Sequence, residues 1–386
     1  MPQPPAAPSP ETAIPDLAAP APRRRNPLTH SKAGVLGLAV LGSMLLLCLG
    51  TLPWTLTTGE GTDVPRYNQG VPREGRMPPL WWPYDEIDVQ RSMDAVRADP
   101  GLADQTQAIA LAAGLSLDDA LALREGPVYE QLRDLWPRFL LGSDQLGRSL
   151  LYRVLTGGGI SLVIGIAAAL ISVGIGTLYG AFAGYAGGWI DGLLMRIVDV
   201  LYGLPYILLV VLIAVAVDGY IENQITKSGI EMSAARRTQI DVVTLLVAIS
   251  AVSWLTMARV VRGQVLSLKN QPFVEAARAM GARPRRVFLR HLLPNLIGPI
   301  VVYATLAVPQ AILQESFLSF LGIGVKPPLP SWGNLAADGL SELNGYRSNW
   351  WLLFFPCALL GVALLALNFV GEGLREAFDP KSGGRS

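Results

Sequence analysis

Long uncharged runs alternate with short polar ones along most of the chain. The runs cover residues 33–58, 160–186, 200–217, 242–258, a fifth from near Leu296 to just before Glu315, and 349–370. A helix needs about 20 apolar residues to cross the roughly 30 Å hydrocarbon core of a bilayer. Only helices and closed barrels satisfy every backbone group there, and none of these runs alternates apolar with polar residues as a barrel strand would. The pattern therefore predicts an all-α polytopic membrane protein with six transmembrane helices. The second run carries Gly165, Gly174, Gly176, Gly180 and Gly184. Small residues let helices approach closely in lipid, so these five predict a bundle interior. Pro205 predicts a kink in the third span, and the fourth span is short.

Charge fixes the expected orientation. Arg23, Arg24, Arg25 and Lys32 precede the first run, and bases crowd the stretch after the fourth. Loops rich in Lys and Arg stay inside, which predicts cytoplasmic termini and a multi-pass protein of the plasma (inner) membrane. Residues 1–32 form a tail rich in proline and alanine that predicts disorder, and 381–386 form a second cytoplasmic tail. The one long polar interruption, residues 59–140, predicts an extracytoplasmic insertion with too little apolar content to read as an independent domain. Ser116 opens a short helix there. Trp81, Trp82 and Trp136 are read as markers of the membrane interface, with a ligand-stacking role left open. Composition agrees: of 386 residues 51% are hydrophobic and 16% charged, against about 25% charged in soluble domains. The net charge of +1 arises from bases gathered beside spans and gives no reason to expect nucleic acid.

The most basic short stretch is 275–295, EAARAMGARPRRVFLRHLLPN, with Arg278, Arg283, Arg285, Arg286 and Arg290 against the single acid Glu275. Gly281 predicts a break, and Pro284 suits the first turn of a following helix, so two short helices meet at a glycine elbow. Glu275, Ala276 and Ala277, then three residues, Gly281, nine residues, and His291 to Asn295 with Pro294 in the LPN ending, resemble the EAA loop of ABC importer permeases. The HLLPN ending is similar to the dipeptide, oligopeptide and nickel (C-type) subfamily. Further on, 141–159 resembles that family's GTDxxGRD segment: Gly142, Asp144, Gly147 and Arg148 match, whereas Ser143 and Ser149 depart from it. The stretches 315–324, 327–333 and 372–380 resemble it as well.

The resemblance implies an ABC importer (type I) permease fold over residues 141–380, with 259–295 as the loop that couples to a partner ATPase. It implies a second homologous permease subunit, two cytoplasmic ATPase subunits that bind the ATP and Mg, and an extracytoplasmic solute-binding protein, all around a bilayer-embedded chain with no cofactor of its own. The solute class implied is di- or oligopeptides or a related solute, moved by alternating access.

What the chain lacks bears on the alternatives. It has no GxxxxGK[ST] loop, HExxH, CxxC or GxSxG, and only two histidines, His30 and His291. ATP binding through a P-loop, zinc hydrolysis and a nucleophile elbow therefore have no sequence support, and neither a catalytic residue nor a metal ligand is expected. An ion-coupled secondary transporter or channel is the alternative, but the spans offer almost no internal carboxylates. The exception, Glu315, is a candidate for the translocation path or for the outer membrane interface. Cys48 and Cys357 lie inside apolar runs and read as small buried hydrophobes.

Overall fold

The computed structural model describes residues 32–59, 62–228, 233–345 and 348–378. The basic residues 23–25, His30, residues 1–31 of the expected N-terminal tail and the expected tail 381–386 lie outside the described residues, whereas Lys32 opens the first helix. The described chain is all helical, and six helices are long and apolar enough to cross a membrane.

The first span is α1 (Lys32–Thr55). The insertion follows, with α2 (Glu86–Ala98), α3 (Pro100–Ala112), α4 (Leu117–Ala122) and α5 (Pro127–Asp134). Then come α6 (Leu150–Ala186), α7 (Gly188–Tyr202), α8 (Tyr206–Ser228) and α9 (Ala234–Lys269). The basic stretch holds α10 (Pro272–Ala279) and α11 (Pro284–Val287), and a π turn over Phe288–Leu292 joins α11 to α12 (Leu293–Phe320). The chain closes with α13 (Trp332–Ser341) and α14 (Trp351–Phe378).

Two apolar cores share α6 and α12. One is built with α7, α8 and α9 around Ile164, Ile249, Leu255 and Leu318; the other with α1, α13 and α14 around Leu162, Ile312, Trp332 and Leu352. The pair α6 and α9 forms the most extensive helix contact. At Gly180 a β-carbon would stand 2.2 Å from the Ala258 carbonyl oxygen, so only glycine permits that approach. Gly165, Gly176 and Gly184 also lie at close helix crossings. Gly174 departs from the expectation: it is exposed, with nothing within 4 Å of an added β-carbon. One glycine in a helical series can face outward because the close face is only about a third of the circumference.

Hydropathy located the spans but misplaced several ends. Gly187 and Gly188, at φ of 68° and 56°, turn the chain into α7, a helix of its own where a short link was expected. Pro205 then precedes α8 instead of kinking it, so the third span runs from Tyr206 rather than from Val200. The polar stretch 218–241, between the third and fourth apolar runs, is largely helical, because α8 continues to Ser228 and α9 starts at Ala234. Charged residues end an apolar run without ending a helix, and Glu, Gln and Lys propagate helices well. The second helix of the basic stretch is likewise not separate: Pro284–Phe320 is one span of 37 residues. Its π turn lies just ahead of Pro294.

Two small apolar clusters are buried within the insertion. Val89, Met93, Val96, Leu121 and Trp136 form one, and Ala110, Ala120 and Leu132 a second. Ser116 caps α4 by accepting the Asp119 N–H at 3.1 Å. Trp136 is buried between Tyr84 and Tyr129, at centroid distances of 5.6 and 5.8 Å, so it is a core residue and not an interface marker. Trp81 and Trp82 do stand exposed beside Trp350. Of the cysteines, Cys48 is buried and Cys357 lies on the outer face of α14.

Candidate functional site

Two places draw together residues picked out from the sequence, and a third is formed by residues that the sequence did not mark. The first is the basic elbow. Gly281 sits at φ 78°, in the left-handed region where a β-carbon is strained, although no atom lies within 4 Å of it. Val274 on α10 packs with Val287 and Leu292, and Tyr185, Leu268 at the end of α9, Ala282 and Phe288 complete this cluster. The Tyr185 hydroxyl donates to the Pro284 carbonyl at 2.7 Å, and Lys269 donates to the Tyr185 carbonyl at 2.9 Å. The elbow is thus fastened to the ends of α6, α9 and α12. Glu275, Ala276, Arg285, Arg286 and Pro294 are exposed; Ala277 faces inward and His291 is half-buried. Phe273 and Met280 are exposed apolar residues on the same outward side, Met280 at 82%. Nearby, Arg262 pairs with Asp191 through two hydrogen bonds of 2.5 and 2.6 Å, tying α9 to α7.

The second place lies at the opposite ends of the spans. Asp144 accepts from the Leu146 and Arg148 backbone N–H groups, each at 2.9 Å, and from the side chains of Arg148 at 2.6 Å and Arg153 at 2.5 Å. Gly142 and Gly147, at φ of 89° and 72°, make this turn possible. Arg148 reaches Asn68 at 2.8 Å. Arg153, on α6 and 3% exposed, was not singled out in the sequence; its apolar neighbours Leu150, Leu151, Val154 and Leu155 were the available signal. The insertion is clamped here too. Arg76 donates two bonds to Glu342, at 2.7 and 2.9 Å, from a backbone at φ 61°. That bond holds the Glu342 carboxyl below its ordinary value, against the opposing effect of burial.

Glu315 occupies a serine cage nearby. It is fully buried and accepts from Ser319 at 2.8 Å and Ser316 at 3.2 Å, with the Ser161 and Ser331 hydroxyls also directed at it. Ser319 in turn accepts the Val325 N–H at 3.0 Å, and Ser161 the Trp332 N–H at 3.3 Å. Four hydroxyls take the place of water around the carboxyl, which would otherwise be costly to bury. The cage pins the turn after α12 and the start of α13 onto α6.

The third place was missed in the sequence. A cleft of 620 Å³ opens between α6, the start of α8, α9 and α12. Tyr303, Gln310 and Gln314 line it from one stripe of α12, with Tyr206, Ser253 and Thr256 among the facing residues. Glu315, next in sequence to Gln314, is outside this lining. Among the described residues no group of three His, Cys, Asp or Glu could hold a metal ion.

Comparison with known proteins identifies this arrangement. The family model for the binding-protein-dependent transport system inner membrane component matches residues 176–383, which include the elbow and most of the cleft. The chain belongs to that family. Within it, the dipeptide transport system permease protein DppC of Bacillus subtilis is 44% identical over 240 residues, 62% of this chain and 68% of its own. The oligopeptide transport system permease protein OppC of Haemophilus influenzae is 45% identical over 240 residues, covering 62% and 70%. OppC of Escherichia coli K12 is 46% identical over 240 residues, covering 62% and 72%. As a member of this inner membrane component family the chain is a multi-pass permease with six apolar helices.

Proposed function

We propose that this chain is one permease half of an ATP-driven ABC importer for di- or oligopeptides, with both termini in the cytoplasm. Its relatives carry the names of dipeptide and oligopeptide permeases, which supports the solute class. A second homologous permease completes the passage, two ATPase subunits bind the ATP and Mg and hydrolyse the nucleotide, and a solute-binding protein delivers from outside. The 259–295 segment couples the ATPases to the passage, and the Asp144 and Glu315 clusters hold the outer ends of the spans.

The observation that carries this reading is how the elbow is fastened. Through Val274, α10 is packed together with Leu268 of α9 and with Val287 and Leu292, which lead into α12. Displacement of α10 by a closing ATPase pair therefore moves two helices that line the cleft. Glu275, in the first turn of α10, interacts favourably with that helix end and is the acid free to meet a basic site on the partner.

Gly281 tests the proposal. Gly281→Val puts a β-branched residue at positive φ, a strain of about 1–2 kcal/mol or more, with no steric clash to confuse the result. Gly281→Asn, a residue that tolerates this region, costs less. Both variants are expected in the membrane at normal abundance. The valine variant should lose ATPase co-purification and solute-stimulated hydrolysis, with the asparagine variant between it and wild type. A valine variant with a fully assembled complex and normal uptake would rule out the coupling role.

A further inference from the structure

Gln310 and Gln314 lie one turn apart on α12 and both line the cleft. Four helical residues rise about 6 Å. In an extended chain alternate residues, which present equivalent groups on one side, repeat every 6.6 Å or so. Two side-chain amides on this stripe are therefore spaced to meet every second peptide group of an extended solute.

The surroundings suit that role. Gln314 is bound by the Tyr206 hydroxyl at 2.6 Å and the Ser253 hydroxyl at 3.1 Å, which hold its amide in one orientation. Gln310 is exposed to the opening. No Lys, Arg, Asp or Glu appears in the lining, so the polar groups present are neutral amides and hydroxyls set in an apolar wall. The Gln310 carboxylamide offers both a donor and an acceptor, the complement of a peptide group, whereas the Gln314 oxygen already accepts two bonds and leaves its NH2 to donate to a peptide carbonyl. A charged lining would hold peptides of opposite charge and repel those of like charge. A neutral one treats side chains of every charge alike and can read only what all peptides share.

We infer that Gln310 and Gln314 form a ladder that binds the backbone amides of an extended peptide passing through the cleft, independent of its side chains. This rests on the peptide-importer reading above and adds to it the group recognised and the residues that recognise it.

The test uses cells carrying the intact transporter and an equimolar mixture of labelled trialanine and alanyl-lactyl-alanine. The second compound has an ester oxygen in place of one amide N–H. The binding protein's own preference multiplies the uptake ratio by the same factor in every strain, so a change between wild type and variant isolates the permease. Gln310→Met and Gln314→Met keep length and remove the amide. Gln310→Met should lower the preference for trialanine by about fivefold, the value of one neutral hydrogen bond to the peptide N–H. Gln314→Met removes a donor to a peptide carbonyl and should lower uptake of both compounds. Gln310→Met alters an exposed side chain, so it keeps the test decisive if Gln314→Met lowers membrane abundance. An unchanged preference in a Gln310→Met transporter that still imports trialanine overturns the ladder and leaves the importer standing. A wild-type complex that assembles but takes up neither compound overturns the peptide reading and the ladder with it.

Discussion

Gly180→Ala measures how closely α6 and α9 approach. The added β-carbon would lie 2.2 Å from the Ala258 oxygen, 2.9 Å from its carbonyl carbon and 3.0 Å from its Cα. All three are backbone atoms, so no side-chain rotation relieves the contact and the helices must part locally. Overpacking of this kind costs about 1–3 kcal/mol, and the rigid neighbours place this case at about 2–3. Alanine returns up to about 1 kcal/mol of helix propensity relative to glycine, which leaves a net loss of about 1–2 kcal/mol. Gly174→Ala on the same helix makes the same chemical change with nothing within 4 Å, so only the gain remains. The two variants should therefore differ by about 2–3 kcal/mol. Unfolding of the purified chain in mixed micelles, followed by tryptophan fluorescence, reads this directly. Trp254 reports on the contact, since it packs on Tyr179 of α6 at a centroid distance of 4.7 Å. Equal stability of the two variants would refute the close approach.

The insertion offers two further expectations. Arg76→Ala removes a bidentate charge-assisted pair; allowing for the 39% exposure of Arg76, the loss is about 1–2 kcal/mol of docking. Because Glu342 is held below the ordinary carboxyl value of about 4.3, the contribution of the pair is complete at neutral pH and is lost as pH falls through the depressed value. Asp338, pushed up by burial, titrates in the opposite sense, so the readout should be local: energy transfer between labels at Gly114 and Ser341, flat from pH 7 to 5 and falling below about 4. The alanine variant should show the acid value already at pH 7. Trp136→Ala empties the larger core of the insertion and should cost about 3–5 kcal/mol there. Limited proteolysis should then cut within residues 85–134 while the spans stay protected, and resistance equal to wild type would contradict the burial of Trp136.

Much of this architecture is legible in local sequence. Six apolar runs give six spans, since crossing hydrocarbon imposes a length and a composition that no distant contact can waive. The elbow is legible for a related reason: glycine at positive φ, proline in a first turn and clustered arginines each act within a few residues. Helix ends are less so. The boundaries of α8 and α9 fall among Asp218, Glu222, Arg236 and Asp241, where hydropathy has ceased to change but the helix has not.

What the sequence by itself determined is therefore the number of spans, the existence of the insertion, the glycine elbow and the family that these motifs resemble. Only the tertiary structure decided which side each marked residue faces. It buried Trp136 and turned Gly174 and Cys357 outward. It joined Arg76 to Glu342 across 266 positions, and Tyr206 to Gln314 across 108. It set Gln314 in the cleft and Glu315, one residue on, inside a serine cage. Successive residues on a helix point about 100° apart, so their environments depend on what packs against each face. That is a property of distant segments, and no local pattern carries it.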